Sequence, residues 1–139
     1  MFLGNLLLAL TVVVGLLDGK QVSINDPKFA GFIESREGGD AVLLYRDKAV
    51  RGEMKISAVQ RIDFDYRKGK PFLLTVTLKN GQKLDVETAS RQFVTIKGDT
   101  GSGSVVIKHP DPVSGPVRIS SRKLNRKKDL TIQYLEFPR

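Results

Sequence analysis

The sequence predicts an all-β protein: two tandem small five-stranded units, or one two-sheet sandwich, preceded by an N-terminal hydrophobic helix. Three observations carry that expectation. From residue 20 onward, short segments rich in Val, Ile, Leu, Thr and Phe alternate with turn residues, and none shows an apolar stripe of helical period. A pattern of apolar and glycine positions recurs along the chain. Ahead of both lies an uncharged run, Phe2 to Leu17, that fits neither pattern.

The run reads FLGNLLLALTVVVGLL and ends abruptly at Asp18-Gly19-Lys20. As a helix its 16 residues would reach roughly 24 Å at 1.5 Å per residue, short of the ~30 Å hydrocarbon core of a bilayer. That length suits the apolar centre of a signal peptide. No Lys or Arg precedes it and no A-x-A site follows it, so an uncleaved anchor or a truncated leader is the other form of the same expectation. The plainer reading is a buried strand or helix of the body; against it stand twelve nearly unbroken apolar residues without alternation, Leu6 to Leu17. The expected compartment is therefore extracytoplasmic, periplasmic or secreted, or the chain is held at a membrane.

The strands are expected at Gln21–Ile24, Phe29–Glu34, Ala41–Arg46, Val50–Ile56 and Arg61–Tyr66. They continue at Phe72–Lys79, Gln82–Glu87, Gln92–Lys97, Ser104–Lys108, Val117–Ser120 and Leu130–Phe137. The clearest local signal is the hairpin TVTLKNGQKLDVE. Asn80-Gly81 is the pair that a two-residue type I′ turn demands, because both positions take positive φ. Val76 and Leu78 then share a face with Leu84 and Val86, while Thr75, Thr77, Asp85 and Glu87 face water.

The repeat is strongest at the ends of the two units. Val59-Gln60-Arg61-Ile62-Asp63-Phe64 matches Ile132-Gln133-Tyr134-Leu135-Glu136-Phe137, similar at every position but one. Upstream, Val50 to Ile56 aligns with Thr100 to Ile107, and Val22-x-Ile24 with Phe32 aligns with Val76-x-Leu78 with Val86. The offsets are 73, 51 and 54, so the second copy carries about 22 extra residues between Ile107 and Ile132. These give a first unit at 20–66, a linker at 67–71 and a second unit at 72–139 with a basic insertion at 109–129. Ile62, Phe64, Leu135 and Phe137 are the expected inward residues. A unit of some 50 residues buries too little surface alone, so the two should pack together and close their edges.

The succession V-x-L-K-N-G, a bent strand, a D-x-G-x-G-x-V-x-I segment and I-x-x-I-x-F resembles small SH3-like or Sm-like β-barrels, and similar repeats of exported bacterial proteins. The resemblance implies two tandem five-stranded barrels. Sm-like RNA binders carry an Asp and an Asn in the loop after the first hairpin, where this chain has Asp85-Val86-Glu87-Thr88-Ala89-Ser90. No functional residue is carried over.

The chemistry is defined mostly by what is missing: in 139 residues there is no Cys, no Trp and one His. That excludes disulfide scaffolds and Cys-ligated metal sites, and no cofactor or metal is expected. Asp99-Thr100-Gly101-Ser102 resembles the D-T-G-S signature of aspartic proteases, but Lys97-Gly98 precede it where apolar strand residues belong. A glycine-rich turn is the plainer reading. His109 and Asp111 lie two apart among prolines and lack a further His for a metal.

The net charge is +8, with 23 Lys and Arg against 15 Asp and Glu. Residues 97–139 hold nine basic and four acidic side chains, and Arg118, Arg122, Lys123, Arg126, Lys127 and Lys128 run without an intervening carboxylate. These six are the candidate binding residues; such a run either solvates a loop or attracts phosphate-rich or anionic partners. The expected function is thus a non-enzymatic exported or membrane-tethered module that binds a partner protein, an anionic polymer or a lipid surface, or associates with itself. An Sm-like nucleic-acid binder is the alternative, and a retropepsin-like protease at Asp99 the remote one.

Overall fold

The computed structural model describes residues 10–16, 19–65, 73–89, 93–109 and 132–138. Over these the protein is all-β, with no α-helix. Eleven strands form one antiparallel sheet: β1 Thr11–Leu16, β2 Gln21–Gly31, β3 Ile33–Ser35, β4 Ala41–Asp47, β5 Val50–Lys55, β6 Val59–Asp65, β7 Leu73–Leu78, β8 Lys83–Thr88, β9 Val94–Asp99, β10 Ser104–His109 and β11 Ile132–Glu136. The expected strand at Val117–Ser120 lies outside the described residues.

The strand order is β10-β9-β2-β1-β11-β6-β7-β8-β4-β3, with β5 on β4. This path returns towards its start, because β3 follows β2 after a single residue, Phe32. The sheet therefore curls into a barrel-like form. The bend is set at Gly31, which takes φ +120° where a Cβ would stand 2.0 Å from the Phe93 carbonyl oxygen. Only glycine fits that approach. On either side of the bend, Phe29 meets Phe137 with ring centroids 6.4 Å apart, and Phe32 meets Phe64 at 6.0 Å. The bent strand thereby ties the ends of both repeats into one core, which also takes in Val12, Val14, Ile24, Leu43, Ile62, Leu74, Val76, Ile96, Ile107 and Leu135. Ile62, Phe64, Leu135 and Phe137 are all buried, as the repeat predicts.

Two expectations need correction. The apolar run is not helical over Thr11–Leu16. It forms β1, paired with β2 on one side and β11 on the other. Its inward residues Val12, Val14 and Leu16 are at most 3% exposed. Alternation is weak because the outward positions are themselves uncharged, Thr11 and Val13 half-buried and Gly15 buried. A strand flanked on both sides in a sheet needs no polar face when neighbouring side chains lie over it.

The second correction concerns the units: they are interleaved, not set side by side as separate barrels. β2 pairs with β9, β1 with β11, β6 with β7, and β4 with β8, so each copy's first hairpin lies among the later strands of the other copy. With β5 taken as the strand beyond β4, the strand order is palindromic about the β11–β6 boundary. At that boundary Leu135 faces Ile62, Tyr134 faces Asp63 and Glu136 faces Arg61. Those are the repeat-related positions exchanged, so a local two-fold axis passes through the Ile62–Leu135 pair.

The axis also reassigns the start of the repeat. β1 corresponds to β7 and β2 to β8: Leu16-Leu17-Asp18-Gly19-Lys20-Gln21-Val22 stands 62 residues before Leu78-Lys79-Asn80-Gly81-Gln82-Lys83-Leu84. The two turns are bonded alike. Gly19 N–H donates to the Leu16 carbonyl and Leu16 N–H to that of Lys20; Gly81 donates to Leu78 and Leu78 to Gln82. Gly19 has φ +93° and Gly81 +92°. The first repeat therefore begins inside the apolar run, and the alignment of Val22 with Val76 is out of register. Equivalent pairs Asn25–Asp99 and Arg46–Glu87 then place β4 on β9 at an offset of 53, which carries β5 on to β10 at 53 and not 51.

Candidate functional site

The six predicted basic residues, Arg118, Arg122, Lys123, Arg126, Lys127 and Lys128, lie outside the described residues. Their chain attachment is defined. The connection 110–131 leaves β10 after His109 and enters β11 at Ile132. Residue 132 pairs with Leu16, and the register of Tyr134 with Asp63 puts the start of β11 beside the end of β6. Asp65 pairs with Leu73, and Leu73 with Glu87. The ends of β1, β6 and β8 and the starts of β7 and β11 thus share one rim. Residues 66–72, with Arg67, Lys68 and Lys70, and residues 90–92, with Arg91, are joined to the body at this rim too.

The charge divides sharply between body and connections. The described residues hold twelve Lys and Arg and twelve Asp and Glu, so the sheet is electrically balanced. The surplus lies mostly in the stretches 66–72 and 110–131 between strands. Sequence alone places an excess in the C-terminal third; it does not show that the body cancels to zero.

On the outer face at the two-fold axis, Tyr134 covers Gly15. A Cβ there would fall 2.1 Å from the ring, so glycine provides the seat for the aromatic side chain. The Arg61 guanidinium lies 3.9 Å from the Tyr134 ring centroid and is ion-paired to Asp63 at 3.0 Å. Gln21 donates to the Tyr134 hydroxyl. The stack covers the outer face of the sheet beside the axis. Two open hollows flank the sheet ends. One, of about 610 Å3, is lined by Arg36, Glu37, Asp40, Val42, Glu53 and Lys55; Arg36 bridges Glu34 and Glu53 there. The other, of about 270 Å3, lies beside β10 and includes Asn25, Asp26, Asp99 and Val106.

Asp99 closes β9 and is exposed, and Thr100 to Gly103 turn the chain into β10. Thr100 N–H donates to the Gly103 carbonyl, and the Thr100 hydroxyl accepts from Ser102 N–H and donates to Gly103. D-T-G-S is here the turn of a hairpin, equivalent to the β4–β5 turn: Gly101 takes φ +97°, and Lys48 at the matching position takes +60°. Among the described residues no group of three or more His, Cys, Asp and Glu could hold a metal ion. No described helix is long and apolar enough to cross a membrane.

No protein-family model, no curated protein and no solved structure matches this chain.

Proposed function

We propose that the protein is a non-enzymatic binding module: a rigid, charge-balanced β body that presents basic connections to an anionic polymer or surface. The partition of charge carries this reading. A stable sheet with no net charge gives no long-range steering of its own, whereas eight surplus positive charges on the connections would raise association with a polyanion and make it strongly dependent on salt. Arg118, Arg122, Lys123, Arg126, Lys127 and Lys128 are the residues assigned to the contact. Several cationic segments joined at one rim favour a single extended partner over scattered contacts.

Export or membrane attachment belongs to the same proposal, on a changed basis. Thr11–Leu16 is a core strand, so a leader or anchor would have to be supplied by other residues. The Sm-like reading is kept as the alternative because the sheet curls like a small barrel, with single-stranded RNA as its ligand.

The test is titration of the full chain with single-stranded RNA, a sulfated polysaccharide and vesicles rich in anionic lipid, each at several salt concentrations. Binding that falls steeply with salt, and that is lost when the six basic residues are replaced by Gln, supports the proposal; the tightest arm names the partner class. Binding to none of the three at low salt removes it. Tight binding to RNA that survives replacement of the six residues would instead favour a site on the sheet.

A further inference from the structure

The two-fold relation makes β5 and β10 equivalent, and among the described residues each pairs on one side only. An open strand edge is a template for another strand, and proteins commonly defend it with charge. The two edges differ in that defence. Arg51, Glu53 and Lys55 are exposed along β5, and Glu53 is held by Arg36 at 3.3 Å. The equivalent positions on β10 are Ser104, Val106 and Lys108. Val106, in the place of Glu53, is 47% exposed. Val105 and Ile107 point the other way, partly or fully into the core.

We infer that β10 is a self-docking edge and that its partner is β10 of a second copy of this chain, joined antiparallel about a two-fold axis at Val106. In that register Val106 faces its own counterpart, Val105 faces Ile107, and Ser104 faces Lys108. No like charges are opposed, and two exposed valines are covered. The same operation on β5 would set Glu53 against Glu53 and Arg51 against Lys55, which repel directly across a ladder. Self-complementarity of this kind is what a two-fold interface requires. A six-residue strand offers a small contact, so the dimer should be weak and reversible, in the micromolar range. The inference is independent of the polyanion proposal: polyanion binding falls with salt, whereas pairing of two chains that each carry +8 should hold or tighten as salt screens their repulsion.

Sedimentation velocity of the full chain over a range of concentrations reads the equilibrium directly. A concentration-dependent dimer is expected, and Val106→Lys should return it to monomer with an unchanged far-ultraviolet spectrum. The chain contains no cysteine, so Val106→Cys should oxidise to a covalent dimer while Glu53→Cys should not. A chain that stays monomeric throughout, a dimer that persists in Val106→Lys, or equal cross-linking of the two cysteine variants would overturn the inference.

Discussion

The hairpins β1–β2 and β7–β8 perform the same task with different outward surfaces. Inward, they correspond residue for residue: Val12 with Leu74, Val14 with Val76, Leu16 with Leu78, and Ile24 with Val86. Outward, β7 and β8 carry Thr75, Thr77, Asp85 and Glu87, with the Thr75 hydroxyl donating to Asp85 at 2.9 Å. β1 instead carries Thr11, Val13 and Gly15, the last beneath the Tyr134 ring. Alternation in a sequence therefore reports how much water a strand's second face meets. It does not report whether the strand exists.

The sharpest way to break the comparison is to remove one hairpin's first strand. Deleting residues 1–19 should abolish cooperative unfolding, since β1 supplies a ladder to both β2 and β11; a leader peptide would be dispensable. Circular dichroism with a urea titration decides between them. Next in size are the residues on the axis. Ile62→Ala and Leu135→Ala should each cost about 2–5 kcal/mol, and by similar amounts, because both are fully buried at related positions. A large difference between them in urea midpoints would show that the two-fold relation is geometric and not energetic.

Smaller effects separate the outward faces. Gly15→Ala should cost about 1–3 kcal/mol, because the Tyr134 ring must move, and Tyr134→Ala in the same chain should recover part of that loss. Gly19→Ala and Gly81→Ala should cost about 1–2 kcal/mol each and nearly the same, since both turns need positive φ and neither has a steric neighbour. Arg61→Ala comes last, at up to about 1 kcal/mol, for an ion pair and ring contact that are partly exposed.

Much of the fold was legible. β-branched and aromatic segments between turns marked most strands, Asn80-Gly81 marked the best hairpin, and the matched motifs ending in Phe64 and Phe137 predicted four buried side chains that are buried. The interleaving was not legible. Pairing between β2 and β9 or β1 and β11 joins residues about 70 and 120 positions apart, and nothing local encodes such a partner. The out-of-register alignment had a physical source as well. Asp18-Gly19 matches Asn80-Gly81 by turn chemistry, but a stretch without charges reads as a membrane or export signal before it reads as half of a hairpin.

The candidate site was legible only as composition. A cluster of Lys and Arg after His109 is visible in the sequence, yet the rim that joins it to Arg67, Lys68, Lys70 and Arg91 is a property of strand register. The contrast between Glu53 and Val106 likewise emerges only once β5 and β10 are known to be equivalent edges.

The place of β11 between β1 and β6 has a consequence for biosynthesis. β11 is made after the other ten strands described, and it must slide between β1, made before them, and β6. Until then the β11 flank of Thr11–Leu16 has no strand to pair with, and its oily residues wait through the synthesis of residues 17–131. Folding that depends on such distant pairings is slow, and the waiting strand is an aggregation hazard. Nascent chains stalled before residue 132 should therefore be the form most in need of a chaperone.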